Sequence, residues 1–371
     1  MTTPIAEFAR AFAGARWVDV LPRSAACPRL PASVLLHAGP PYRGSPPAPV
    51  LHAAIQALLY EGAAADERAA ARLLGEGAVR LEPAQDHGVA TPLAQVVSAS
   101  MPLFAVEGAG SVRFAPLVEG PPPALRFGSL APSCRDALRQ SDAWAAAVLA
   151  PLVRRQPPRL DEIIGVALAQ GDECHARTIA AGAALADRLA GLADSDSARL
   201  RTQPAFVLPL FMAAAAAAMA APGQRVAAIG GNGIAFGVRW AGQASWSTAP
   251  ALPPRGTRMD GHAATAALGA IGDSAVIDWC GLGGQALAAA PSLAAEWQDA
   301  LPADAADLRA RLVDAHSGIV DPQRVREHAL APLVHLAILD RSGACGLIGR
   351  GVYIPPLQLF AAADDGGAAA P

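Results

Sequence analysis

The chain has 371 residues, a hydrophobic fraction of 53% and a formal net charge of −3. Its 29 Lys+Arg residues are all arginine, which excludes a lysine Schiff base, a pyridoxal-phosphate lysine and a standard Walker lysine. The slight acidity offers no basic surface to nucleic acid or to an anionic membrane.

That length predicts two or three compact units. The five cysteines, Cys27, Cys134, Cys174, Cys280 and Cys345, are far apart and contain no C-x-x-C. They form neither a disulfide framework nor a zinc ribbon. Residues 1–16 carry Glu7, Arg10 and Arg16 and lack an unbroken apolar run. No signal peptide is read there, and the cytoplasm is the expected compartment.

Residues 4–15 read as an amphipathic helix, and Leu36 to Tyr42 as a strand end running into a rigid turn. Helices follow at Pro49 to Tyr60 and at Asp66 to Leu74, the second closed by Gly75 or Gly77. Short Val, Leu and Phe runs from Val79 to Gly120 predict part of a mixed sheet. Pro121-Pro122-Pro123 punctuates the chain. Arg135 to Val153 reads as one helix and Asp161 to Leu192 as one or two more. Ala205 to Ala221 is uncharged but Ala-dominated, so it reads as a buried helix rather than a membrane span.

Strands are predicted at Arg225 to Ile229, Ile234 to Trp240 and Ala275 to Trp279. Helices are expected near Gln285 to Leu301 and Asp304 to Ala315. A hairpin is read over Val334 to Asp340, the Arg341-Ser342-Gly343 turn and Cys345 to Ile354. The expected architecture is α+β: a mixed α/β domain at 1–132, a small helical domain at 133–200, and a second mixed α/β domain at 201–360. A disordered tail is expected at 361–371.

Gly171-Asp172-Glu173-Cys174-His175 lies in a helical stretch, where Asp172 and His175 would share a face. Two carboxylates beside an imidazole can exchange protons or hold a cation; a plain polar helix face is the bland alternative. Val276 to Ala290 reads as a strand, the loop Gly281-Leu282-Gly283-Gly284, then a helix. That order can cradle an anion, or the glycines can simply permit close packing. Gly230-Gly231-Asn232-Gly233 reads as a hairpin turn, with Arg239 shortly after it. Asp273 and Ser274 could cap a turn or orient an amide. His37 and His87 are further candidates, each read first as structural.

Taken in order, several segments resemble one family. They are Leu36-His37-Ala38-Gly39-Pro40-Pro41, Leu59-Tyr60-Glu61-Gly62, Ser98 to Pro102 and Arg126-Phe127-Gly128. They continue with Gly171 to His175, Asn232-Gly233, Phe236 to Arg239, Thr248 to Pro250, Gly272 to Ala275 and Gly281 to Gly284. The sequence resembles the YlbE/AllG family over roughly residues 35–356. The resemblance implies an α+β fold and a subunit of an oxamate carbamoyltransferase system in allantoin and purine-nitrogen breakdown, beside an FdrA-like protein. The implied reaction moves a carbamoyl group between oxamate and phosphate. At the family's two asparagines after the imidazole, this chain has Ala176 and Thr178, and Asp278 replaces a glutamate.

Asp172, Glu173 and His175 would then manage protons. His37, His87, Asn232, Gly233, Arg239, Asp273, Ser274, Gly281, Gly283 and Gly284 would bind a small anionic amide or ureido acid and phosphate or carbamoyl phosphate. No cofactor or metal is required, although the acid–imidazole group could accept a metal. A homo-oligomer is expected. The rival readings are a non-catalytic scaffold for the FdrA-like partner and a diverged enzyme with another ureido acid.

Overall fold

The computed structural model describes residues 5–203 and 205–361. Most of the expected tail lies outside the described residues. The strands, in chain order, are β1 (Arg16–Pro22), β2 (Val34–His37), β3 (Arg80–Pro83), β4 (Pro102–Gly108), β5 (Ser111–Pro116) and β6 (Val226–Asn232). They continue as β7 (Ala235–Trp240), β8 (Ser247–Pro250), β9 (Arg255–Arg258), β10 (Ile271–Gly272), β11 (Val334–Leu339) and β12 (Leu347–Tyr353).

Four small sheets result, ordered β1-β4-β5, β10-β6-β7-β8, β11-β12-β9 and β2-β3. All pair antiparallel except β2 with β3. With helices packed between and around them, the fold is α+β. From Ser133 to Thr202 every regular element is helical.

The Ala-rich segment forms the buried helix Leu208–Met219, laid across β4 and β5. Small side chains let the helix backbone sit close to the sheet, where a row of leucines would hold it off. One large core joins residues from Phe8 to Phe360, including Trp17 and Phe104 of the first sheet, Leu185 and Leu200 of the helical run, and Trp279. Trp17, Phe104 and Phe206 pack edge to face, with centroids 4.9 and 5.6 Å apart. Among the described residues no helix is long and apolar enough to cross a membrane.

The hairpins at Asn232-Gly233 and at Arg341 to Gly343 form as expected. The Arg135 to Val153 helix forms with a π-helical turn at Ala145–Leu149. Three expectations fail. The N-terminal helix shrinks to Ile5–Phe8 and a 3-10 turn at Arg10–Phe12. Gly171 to His175 is not helical but a loop between Leu160–Ala169 and Ile179–Arg188. Left-handed backbone at Gly171 (φ 87°) and Cys174 (φ 68°) breaks the helix there. Ala275–Trp279 is a helix, not a strand, because a five-residue apolar run carries no period that separates the two.

Candidate active site: two histidine–carboxylate pairs on one cleft

Three separate segments meet at one point. The 171–178 loop brings Glu173 and His175, the helix Ala275–Trp279 brings Asp278, and β11 brings His335. His175 Nδ1 lies 2.8 Å from Asp278 Oδ2, and His335 Nδ1 lies 2.9 Å from Glu173 Oε1. The two rings are 6.1 Å apart, and Trp297 meets His335 edge-on at 5.0 Å. A carboxylate facing Nδ1 fixes a proton on that nitrogen and leaves Nε2 as the nitrogen able to react.

The carboxylates are themselves held by backbone. Glu173 accepts from the N–H groups of His175 (3.3 Å), Ala176 and Arg177 (3.0 Å). Asp278 Oδ1 accepts from Gly284 N at 2.8 Å and His335 N at 3.2 Å. Burial works against the imidazolium of His175, but the Asp278 carboxylate overcomes it and raises its pKa. Burial would raise Glu173, yet the hydrogen bond and charge of His335 lower it.

Both histidines line a cavity of about 690 Å3, which Ser274, Arg126, Arg258 and Arg350 also line. That is the size of a small-molecule site. His335 Nε2 and Arg258 Nη1 are buried and have no hydrogen-bond partner. Arg126 is buried, paired with Glu119 at 3.2 Å, and stacked on Phe127 at 4.3 Å. Arg350 is tied to Glu296 at 3.1 Å on the outer side. The cleft thus sets two paired imidazoles against guanidinium groups that suit a carboxylate or phosphate.

The sequence candidates divide sharply. His175 lines the cleft, and Glu173 is buried behind it, holding His335. Their neighbour Asp172 caps the helix Ile179–Arg188, accepting from Ala180 N (2.6 Å) and Ala181 N (3.3 Å). Cys174 is fully buried, and burial with the two neighbouring carboxylates pushes its thiol well up, which removes it as a nucleophile. Ser274 reaches the cavity wall.

The glycine loop is not an anion cradle. The N–H groups of Gly281, Gly283 and Gly284 go to Asp278 O, Glu173 O and Asp278 Oδ1. The loop serves by close approach. A Cβ on Gly283 (φ 51°) would fall 2.2 Å from Asp278 Oδ1, and one on Gly284 would fall 2.1 Å from Leu333 O.

Asn232 is spent on the hairpin: its amide donates to Pro40 O, and its Oδ1 accepts from Ile234 and Ala235. Gly233 turns the chain there at φ 86°. Asp273 is sealed in a knot of Gly39 N, Thr91 N and Gln85 Nε2. His37 is buried against Tyr42, and burial lowers its pKa to about 4. Arg239 and His87 line a different cavity. The expected convergence of Asn232, Arg239 and the glycine loop as ligand donors does not occur.

His335, Asp278, Arg126, Arg258 and Arg350 are not among the residues that sequence reasoning marks as site candidates. A lone histidine inside an apolar strand was the available signal for His335. Arg126 already stood in one of the resembling motifs. Among the described residues, no three His, Cys, Asp or Glu side chains converge as a metal-binding group.

A family profile described as "Oxamate carbamoyltransferase subunit AllG" matches residues 79–274. The chain is 31% identical to the oxamate carbamoyltransferase subunit AllG of Escherichia coli K12, over 93% of this chain and 91% of that protein. The chain belongs to the AllG family. It is also 28% identical to the uncharacterized protein YahG of the same organism, over 90% of this chain and 78% of that one. A crystal structure of a conserved protein of unknown function from Enterococcus faecalis V583 superposes with a TM-score of 0.82 at 26% identity. It covers 96% of this chain and 94% of its own. The profile match takes in Arg126, Glu173 and His175, whereas Asp278 and His335 lie beyond it.

Proposed function

We propose that the paired-histidine cleft is the reaction site of a carbamoyltransferase subunit, acting on a small amide-bearing carboxylate such as oxamate, with phosphate as the other partner. One observation carries this reading. Two imidazoles, each oriented by a buried carboxylate, stand side by side at a cavity that also holds an unpaired guanidinium nitrogen.

Moving a carbamoyl group from the oxamate nitrogen to phosphate needs two proton transfers. A phosphate oxygen attacks the carbamoyl carbon and loses its proton. The C–N bond breaks, and the departing amide nitrogen gains a proton. His175, held protonated by Asp278, gives the proton to the leaving nitrogen. His335, with Nδ1–H directed at Glu173, receives the phosphate proton on Nε2. Arg126 and Arg258 hold the carboxylate and phosphate. Transfer works in reverse with the two histidine roles exchanged.

As a subunit, the chain would work with an FdrA-like protein in the cytoplasm, in nitrogen recovery from allantoin and purines. The test is phosphate-dependent release of oxamate from its carbamoyl adduct by the assembled complex. Turnover that collapses with His335→Gln and survives Asp172→Ala supports the cleft. Turnover that survives both His335→Gln and His175→Gln makes this chain a scaffold.

A further inference from the structure

A second cavity of about 570 Å3 shares no lining residue with the histidine cleft. Three arginines reach it: Arg29 from the loop after Cys27, Arg113 from β5 and Arg239 from β7. Arg239 is the one with an acidic partner, Asp86, at 2.9 Å. Asp86 is shared with the indole N–H of Trp246 at 3.1 Å. Arg113 lies over Gly88, where a Cβ would sit 3.5 Å from its Cδ, and gives one N–H to the Val112 carbonyl. Among the described residues, neither Arg113 nor Arg29 meets a carboxylate at ion-pair distance.

Against these three guanidinium groups the lining offers one carboxylate, so the cavity carries an excess of about two positive charges. Part of the lining is apolar: Ala216 and Ala220 from the end of the long buried helix, with Ala227. Arg113 is partly buried and without a carboxylate partner, an arrangement that an anion would complete, while Arg29 stands exposed at the rim. Burial indeed lowers the pKa of Arg113. The volume exceeds the need of a bare oxyanion and fits the ~300–1,000 Å3 range of small-molecule sites.

We propose that this cavity binds a phosphate monoester. The phosphate would sit on Arg29, Arg113 and Arg239, and a small organic part would lie on the alanine wall. Two negative charges match the excess, and guanidinium forks match phosphate oxygens. The site is independent of the chemistry assigned to the histidine cleft.

Calorimetric titration of the full chain tests it, with phenyl phosphate, inorganic phosphate and malonate as probes. The expected result is one saturable site for phenyl phosphate, tighter than for inorganic phosphate or malonate. Arg29→Glu, on an exposed residue, and Arg113→Gln should each weaken it by about tenfold or more, the loss of one charged hydrogen bond. His335→Gln should leave it unchanged. Thermal unfolding of each variant confirms that it is folded, and Arg29→Glu alone suffices if Arg113→Gln is not. Absence of saturable phosphate binding overturns the proposal, as does tighter malonate binding. So does wild-type affinity in Arg29→Glu, or loss of binding in His335→Gln, which would move the ligand to the cleft.

Discussion

Asp273 and Asp278 are fully buried carboxylates five positions apart, at the two ends of one short helical segment. Their surroundings differ in kind. Asp273 receives uncharged donors, Gly39 N, Thr91 N and Gln85 Nε2, in a sealed knot. Asp278 receives two backbone N–H groups and an imidazole that opens onto a cavity. Burial pushes Asp273 up to about 7, while the charge on Asp278 sustains a raised pKa at His175. The lesson is one of division. One carboxylate anchors the start of the helix to the first part of the chain, so the other can hold the His175 ring in place.

The largest expected effect lies on the open side. His335→Gln or His175→Gln should lower turnover of the assembled enzyme by about 10²–10⁴-fold, the usual worth of a positioned acid or base. Steady-state kinetics on folded variants check this. Loss of the same size in Asp273→Asn would erase the distinction between the two carboxylates.

The second effect is pH dependence of stability. Between its ordinary 3.8 and about 7, Asp273 stays protonated when folded and is ionised when unfolded. The unfolded chain then binds fewer protons, so stability falls as pH rises, by up to about 4 kcal/mol from this group. His175 has the same sign. Its folded pKa is raised, so its contribution is complete below the unfolded 6.5 and is lost as pH passes the folded value. The melting temperature should therefore fall from about pH 5 to pH 8, and Asp273→Asn should flatten the slope. A melting temperature that climbs over this range contradicts both assignments.

A third prediction sharpens the role of the glycine loop. Gly283→Ala drives a methyl into Asp278 and should cost about 1–3 kcal/mol while also depressing turnover. An anion-cradle glycine would instead change substrate affinity at constant melting temperature. The smallest effect is Asp172→Ala. It removes a cap and should cost about 1 kcal/mol, with turnover per folded molecule preserved.

These contrasts explain what was legible in the sequence. The Asn232-Gly233 and Arg341 to Gly343 hairpins were readable because turn chemistry is local. The Gly171 to His175 run was readable as a place, not as a shape, since left-handed Cys174 follows from tertiary packing that no helical period announces. Asp172 and Glu173 are indistinguishable as letters, yet one caps a helix and the other holds His335. His335 stands 162 positions from Glu173, and no spacing rule reaches that far. The same limit separated Arg239 from the histidines.

The most direct test is a structure of the assembled complex with oxamate and phosphate bound. The oxamate nitrogen is expected within hydrogen-bond distance of an Nε2 of His175 or His335, with its carboxylate on Arg126 or Arg258. Oxamate bound on another subunit, or on this chain away from both histidines, would contradict that placement.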